Sequence, residues 1–317
     1  MTNLTEIPKI DLNHYISGNL QQQNKFVDSL YEGLVEFGFC ILTGHNISEE
    51  IIDDGYSAVK EYFSLPTKTK INYTTKEKGG QRGYTGFGKE HAKNQEKPDL
   101  KEFWHVGREL ESDHPYIKSK KYLPNLWPTE VQNFKPALTK LYNSLDNASQ
   151  IILEALSNAL KIDPEIFRNM LKDGNSILRP LHYPPLKGLK VEGAIRAAAH
   201  EDINLITLLM GATGSGLQLL DRNNQWMDIE TKPGQIIVDS GDMLSRITGG
   251  HIPATTHRVI NPSNDNSSRF SMPFFVHPHP DAILETLPIT HIDIKSAPPI
   301  NSLTFLHQRL EEIGLMD

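Results

Sequence analysis

His200, Asp202 and His257 supply two imidazoles and a carboxylate, and the triplet Arg269-Phe270-Ser271 follows them. Two nitrogens and one oxygen on one face of a metal leave three coordination positions open. That donor set suits non-haem Fe(II), which must take a co-substrate and O2 side by side. A guanidinium and a hydroxyl two residues apart suit the distal carboxylate of a keto acid. The chemistry expected from these five residues is iron-dependent oxygenation.

The spacing is consistent with one site. Residues i and i+2 of an extended strand share a face, so His200 and Asp202 can reach one ion while Glu201 points away. His257 comes fifty-five residues later, enough for the chain to leave and return on another strand. Arg269 lies twelve residues further on, which predicts a short turn and an adjacent antiparallel strand, with Arg269 and Ser271 on one face. A His-x-acid triplet alone carries little information, because 13 histidines and 39 acidic residues in 317 yield about 1.6 such triplets by chance. Three occur. His279-Pro280-Asp281 contains a proline that fits poorly in a paired strand, and His291-Ile292-Asp293 has no Arg-x-Ser after it, so both read as loop residues. Taken singly, each of the five would be a surface or packing residue. Their ordered combination reverses that reading.

Several elements must position this set. Phe26, Leu30, Tyr31 and Leu34 recur at helical spacing, with Gly38 placed to end the helix. Phe39 to Thr43 reads as a short buried strand. Ser48 caps a second helix that stops at Leu65-Pro66. A glycine-rich, charged stretch from Thr74 to about Leu100 lacks phosphate-loop order and reads as a surface loop, able to order over a substrate. A long amphipathic helix runs through Leu138, Leu141, Leu145, Ile152 and Leu156, and a shorter one begins at Asp163-Pro164 with Gly174 placed to end it. After Asn175, seven or eight short apolar runs alternate with turn residues: Ile177 to Tyr183, Leu205 to Met210, Leu217 to Leu220, Trp226 to Ile229, Gln235 to Asp239, Thr255 to Ile260 and Arg269 to Val276. With Asn223-Asn224 as a hairpin turn and no helix between the strands, this predicts a sandwich or jelly roll. Asp239 and Asp242, flanking Gly241, read as turn residues, and Trp104, Trp127 and Trp226 as core aromatics.

Composition is permissive. A chain of 317 residues with 38% hydrophobic content can build a substantial core. The net charge of −7 argues against nucleic acid or an anionic membrane as partner. The single Cys40 excludes an internal disulfide and fits a reducing compartment. The start, MTNLTEIPKIDL, lacks a signal pattern, and no apolar run approaches the roughly 20 residues that span a bilayer. The expectation is a cytoplasmic protein with no obligate protein partner.

From Arg196 to Val276 the chain resembles the catalytic core of the isopenicillin N synthase-like family of 2-oxoglutarate- and Fe(II)-dependent oxygenases, through RAAAHEDINLITLL, GLQLL, KPGQIIVDSGDML, TTHRV and RFSMPFF. IPKIDL, EFGFCILTGHNIS, EYFSLPTKTK, RGYTGFG and DLKEFW extend the resemblance over nearly the whole chain. It implies an α+β protein whose mainly β core is a double-stranded β-helix (jelly roll) behind a helical N-terminal region. The implied division is 1–120 for that region, 121–174 for connecting helices, 175–280 for the core and 281–317 for a helical C-terminal extension. It implies Fe(II) on His200, Asp202 and His257, and the C5 carboxylate of 2-oxoglutarate on Arg269 and Ser271, with Tyr183 of HYPP donating to the same carboxylate. Leu181 departs from the asparagine that plant members usually carry two positions before that tyrosine, so one cofactor hydrogen bond is absent or supplied otherwise. Arg179 and His182 read as packing or supporting residues.

The implied reaction uses O2 and 2-oxoglutarate, releases succinate and CO2, and hydroxylates, desaturates or cyclises a small molecule; a carboxylate at Asp202 argues against halogenation. Two alternatives stay open: an iron oxidase of the isopenicillin N synthase type that needs no keto acid, and a non-catalytic jelly-roll binding module. Substrate walls are expected near Arg82 to Phe87, Lys101 to His105 and in the tail after Ser302.

Overall fold

The computed structural model describes residues 4, 6–75, 81–90, 97–186, 194–261 and 267–312. Its first half alternates helices and short strands: β1 (Lys9–Asp11), α1 (Leu12–Ile16), α2 (Leu20–Phe37), β2 (Phe39–Thr43), α3 (Glu49–Ser64), α4 (Thr67–Ile71), β3 (Gly83–Thr85), β4 (Glu102–Gly107), α5 (Pro115–Lys118), α6 (Phe134–Leu160) and α7 (Glu165–Leu171). The second half holds β5 (Ile177–Leu178), β6 (Leu181–Tyr183), β7 (Ala197–His200), β8 (Ile206–Met210), β9 (Leu217–Leu220), β10 (Trp226–Asp228), β11 (Ile236–Ser240), α8 (Asp242–Ile247), β12 (His257–Val259), β13 (Arg269–Ser271), β14 (Pro273–Val276), β15 (Ile283–Leu284), β16 (Ile300–Asn301) and α9 (Ser302–Glu312).

Local chemistry fixes the ends of the larger helices. Asn19 and Gln22 close a reciprocal capping box at the start of α2, and Gly38 ends it in the left-handed region at φ 67°. The Ser48 side chain accepts from the Ile51 N–H at the start of α3. The α6 helix buries Leu138, Leu141, Leu145, Ile152 and Leu156 on one side.

The large sheet runs β1-β2-β11-β8-β14-β5-β4-β6-β13, with β3 beside β4; the smaller runs β10-β9-β12-β7. Period two along β8 and β11 decides what each face receives. Leu208, Met210, Ile236 and Val238 join the core that the helices cover, where Tyr142 of α6 meets Phe274 of β14 edge-on at 5.0 Å. The alternate residues Thr207, Leu209 and Asp239 face a cavity that also touches Leu217 and Val259 of the smaller sheet. A second apolar core joins the two sheets there, through Phe39, Leu181 and Tyr183 on one side and Leu217, Leu219 and Val259 on the other.

Four expectations need correction. The strand half is interrupted by α8, because Met243, Leu244 and Ile247 form a buried helical face directly after Gly241; Asp242 therefore starts a helix, and Asp239 lies within β11. The run Ile177 to Tyr183 divides into β5 and β6 at Arg179-Pro180, since proline has no N–H for a ladder. The stretch from Thr74 is not all loop: β3 pairs with β4, with Tyr84 buried opposite Trp104, while 76–80 and 91–96 lie outside the described residues. Of the tryptophans, Trp104 is fully buried, whereas Trp226 lies partly exposed with the Arg258 guanidinium 3.8 Å from its ring.

Candidate metal centre and its cavities

Antiparallel pairing of β7 with β12 sets His200 directly opposite His257, and the two rings stand 4.4 Å apart. Asp202 sits just beyond the end of β7 rather than on it, in the turn leading to β8. Its Oδ1 is nonetheless 3.9 Å from Nε2 of each histidine. One donor atom from each of the three residues lies within 4.8 Å of the others, which is the span of a shared coordination sphere.

The donors are also oriented. Each histidine turns Nδ1 to a carbonyl two residues back, His200 to Ala198 at 2.7 Å and His257 to Thr255 at 3.1 Å. A proton on Nδ1 leaves the Nε2 lone pair free for a metal. Asp202 Oδ2 accepts a short hydrogen bond from Thr207, which aims the carboxylate and spares Oδ1. Electrostatics agree with that arrangement. Burial, reinforced by His257, lowers the His200 pKa to about 4, so its ring is neutral at pH 7. Burial alone would raise Asp202, yet His257, His200 and the Thr207 hydroxyl hold it below the usual carboxylate range. Asp239, whose Oδ2 is 3.6 Å from His257 Nδ1, is pushed well upward by burial and by the Asp202 carboxylate. A neutral His200 and an ionised Asp202, with the His257 ring alongside, suit a divalent iron.

A cavity of about 60 Å³ lies between the sheets beside these donors, touching Tyr183, His200, Asp202, His257, Arg269 and Ser271. Arg269 does not stand beside His257 on an adjacent strand as the spacing suggests. Both edges of β12 are already taken by β7 and β9, so β13 pairs instead with β6 in the large sheet and faces the histidines across the cavity. This register sets Arg269 opposite Tyr183 and Ser271 opposite Leu181. The Arg269 guanidinium lies 5.0 Å from the Tyr183 ring, and its Nε donates to the Gly214 carbonyl at 3.1 Å. Its Nη1 is buried with no hydrogen-bond partner among the described residues. An orphaned guanidinium donor in a closed cavity is what an incoming carboxylate would satisfy.

A second cavity of about 110 Å³ adjoins His200 and Asp202 from the other side. Its polar wall includes Gln81, Glu90, Asp99, Lys101, Arg179, Glu201 and His277, and Leu306 and Leu310 of α9 also line it. Lys101 and the tail after Ser302 therefore do line a cavity at the site. Near the Arg82 to Phe87 stretch the adjoining Gln81 lines it, whereas Arg82 is buried with its guanidinium on the carbonyls of Leu123 and Gln81. Sequence reasoning missed Thr207, Asp239, Glu90 and His277 and took Arg179 as a packing or supporting residue. The one available signal was a cluster of charges within short apolar runs. His182 does support the fold, bonding Glu102 within a buried Lys70-Glu102-Tyr84 group. His279 and His291 lie in segments without regular structure, as expected.

Comparison with known proteins agrees with this geometry. Residues 7–130 match the profile of the non-haem dioxygenase N-terminal region described for morphine synthesis, and residues 174–278 match that of the 2OG-Fe(II) oxygenase superfamily. An Aspergillus fumigatus 2-oxoglutarate-Fe(II) type oxidoreductase is 31% identical over 293 residues, covering 90% of this chain and 86% of its own. A 2OG-Fe(II) oxygenase family protein of Caulobacter crescentus superposes with a TM-score of 0.86 at 39% identity, over 98% of this chain and 100% of its own. A Neurospora crassa protein solved with α-ketoglutarate and thymine superposes with a TM-score of 0.85 at 26% identity, over 96% of each chain.

Proposed function

The chain belongs to the 2OG-Fe(II) oxygenase superfamily and is a 2-oxoglutarate- and iron-dependent oxidoreductase, and from that premise we propose which residues carry the reaction. His200, Asp202 and His257 hold the iron. Arg269 Nη1, assisted by Ser271 and Tyr183, takes the distal carboxylate of 2-oxoglutarate. Bound iron supplies activation of O2 coupled to decarboxylation of the keto acid. The chain's own groups do the rest. The Ala198 and Thr255 carbonyls fix the imidazole tautomers, Thr207 aims Asp202, and the apolar walls contributed by Phe39, Leu217 and Val259 exclude bulk water from the cofactor side.

The observation that carries this reading is the convergence of three donor atoms within 4.8 Å, with both Nδ1 atoms turned away. The orphaned Arg269 Nη1 and relatives named for 2-oxoglutarate speak against a keto-acid-independent oxidase. The two facing sheets, read as a double-stranded β-helix behind a helical N-terminal region, give the ligands their rigid frame. Divided in this way, 175–280 carries the chemistry, 1–120 and 121–174 buttress it, and 281–317 closes the substrate side. The substrate is a small molecule, in keeping with the thymine complex of the Neurospora neighbour, and the partner class does not include nucleic acid. Among the described residues no helix is long and apolar enough to cross a membrane, and the buried free thiol of Cys40 suits the cytoplasm.

The test is ferrous iron content and O2-dependent succinate release from 2-oxoglutarate, in the wild type and in His200→Ala, Asp202→Ala and His257→Ala. Loss of both in each variant is expected. Normal iron content and turnover in all three would reject the assignment.

A further inference from the structure

The cavity on the far side of His200 and Asp202 has an unusual polar wall. The Arg179 guanidinium is sandwiched between the rings of Phe103 and Phe275, 4.7 and 4.9 Å from their centres. Its Nε donates to His105 at 2.6 Å and its Nη1 to Glu90 Oε1 at 3.3 Å, and its Nη2 has no partner among the described residues. Glu90 Oε2 faces Lys101 Nζ at 2.7 Å, and Lys101 in turn reaches Asp99 at 2.7 Å. Asp99 accepts from the Ala198 N–H at 2.9 Å, which ties the chain of charges to the strand that carries His200. Glu90, Asp99 and Lys101 are all buried. Burial works against the ionised Glu90, but Lys101 and Arg179 hold it far below the usual range, and, against burial, Glu90 and Asp99 in turn raise Lys101.

Within this group the two basic side chains, Arg179 and Lys101, match the two carboxylates, Glu90 and Asp99; the other carboxylates on the lining are Asp202, which the proposed iron would balance, and the solvent-exposed Glu201. An occupant that brought a net charge would leave one buried charge unmatched, at a cost of several kcal/mol. A neutral occupant carries no such cost. It must still meet the polar wall. Arg179 Nη2 offers a donor, and the Glu90 carboxylate beside it has acceptor capacity beyond its two present contacts. His277 Nδ1, on a residue only 7% exposed, also lacks a hydrogen-bond partner among the described residues. Ile203, Leu306 and Leu310 supply apolar wall, and Gln81 and Glu201 also border the cavity. A donor and an acceptor side by side complement an edge that carries C=O next to N–H.

We infer that the substrate is a small neutral cyclic amide or imide, read along its N–H/C=O edge by Arg179 and Glu90. This inference rests on the reading of His200, Asp202 and His257 as the reaction centre. Fixed between two rings and two hydrogen bonds, Arg179 is a specificity-determining residue.

The test uses wild-type enzyme with Fe(II) and 2-oxoglutarate under nitrogen. Equilibrium dialysis measures binding of 2-piperidone, succinimide and uracil, their fully N-methylated counterparts, benzoate and benzylamine. At least one amide should bind, tenfold or more tighter than its N-methylated form and than either ion. A site built to pair with an N–H discriminates sharply against the analogue that lacks it. Arg179→Met and Glu90→Gln should each bring the ratio between amide and N-methyl amide toward one. Failure of all three amides to bind overturns the inference, as does equal binding of the N-methylated forms or tighter binding of benzoate or benzylamine. Absence of 2-oxoglutarate-dependent succinate release by the wild type in air would instead fault the reaction centre, and dialysis does not depend on that result.

Discussion

Replacing Arg269 by methionine separates a ligand-binding role from a structural one, because the two roles predict opposite outcomes. In the protein without 2-oxoglutarate, Arg269 is a buried cation with an orphaned Nη1. An unsatisfied buried donor costs about 1–3 kcal/mol. Against that stand the Nε bond to Gly214, about 1 kcal/mol, and the contact with the Tyr183 ring, about 0.5–1 kcal/mol. These contributions nearly cancel, so the ligand-free variant should melt within a few degrees of the wild type. With 2-oxoglutarate present the balance is different. A charge-assisted hydrogen bond is worth about 1.5–3 kcal/mol, and a carboxylate left buried without its partner adds to the loss. At about 1.4 kcal/mol per tenfold, the KM for 2-oxoglutarate should rise at least tenfold and up to about a thousandfold. Initial rates of succinate release against 2-oxoglutarate concentration, paired with melting of the ligand-free protein, measure both arms. A KM within twofold of wild type would refute the carboxylate assignment, and a collapse in melting temperature would make Arg269 a structural residue.

Three further outcomes are expected. Thr207→Val keeps the side-chain shape but removes the hydroxyl that aims Asp202; ferrous iron affinity should fall about 10–100-fold, and an unchanged iron Kd would show that Thr207 does not orient the ligand. His277 is held neutral by burial, its pKa lowered to about 4 from 6.5, so its contribution to stability is complete above pH 6.5 and is lost as the pH falls toward 4. That loss is on the order of 3 kcal/mol, and His277→Gln should flatten the acid limb of melting temperature against pH, whereas parallel limbs for the two proteins would contradict it. Gly38→Ala would place a Cβ 2.1 Å from Thr255 Oγ1 at a backbone φ of +67°. A loss of 2 kcal/mol or more is expected, on the order of strain plus a displaced neighbour, together with weaker iron binding, because the Thr255 carbonyl holds His257; denaturant unfolding with an unchanged midpoint would sink this link.

Legibility followed physical range. The helix limits were set by neighbours in sequence: Ser48 and Gly38 cap the helices that their types and positions suggest. The Asp221 carboxylate accepts from the Asn223 and Gln225 amides, and Asn224 adopts φ 58° in the hairpin expected at Asn223-Asn224. The convergence of the proposed donors was legible because strand return brings His257 opposite His200, although Asp202 reaches them from beyond the end of β7 rather than by period two along it. Strand partnership was not, since β13 joins β6 only because both edges of β12 are occupied, and that depends on β7 and β9, far along the chain. The place of Arg179 on the cavity was hidden for a related reason. Within the run Ile177 to Tyr183 it reads as one strand residue among others, yet it sits at the break between β5 and β6 and lines the cavity.

The same break explains why one short segment serves both cavities. Arg179 touches the cofactor side and the substrate side, whereas Leu181 and Tyr183, two and four residues further on, face only the cofactor side. A continuous strand would hold all three residues on one face of one ladder. Without the Pro180 N–H, the ladder along β4 is interrupted; β5 and β6 both pair with β4, while on their other edges β5 meets β14 and β6 meets β13, and the residue between them need not belong to either pleat. Backbone contacts then fix the junction, with Arg179 N–H donating to Pro273 and Trp104 N–H to Pro180, each at 2.9 Å. Tyr183, proposed to assist in holding the keto acid, and Arg179, proposed to read the substrate, therefore hang from the same few residues, with Arg269 paired to Tyr183 across β6 and β13. A mutation at Pro180 should disturb both affinities together, which changes at Arg269 or Arg179 alone should not do.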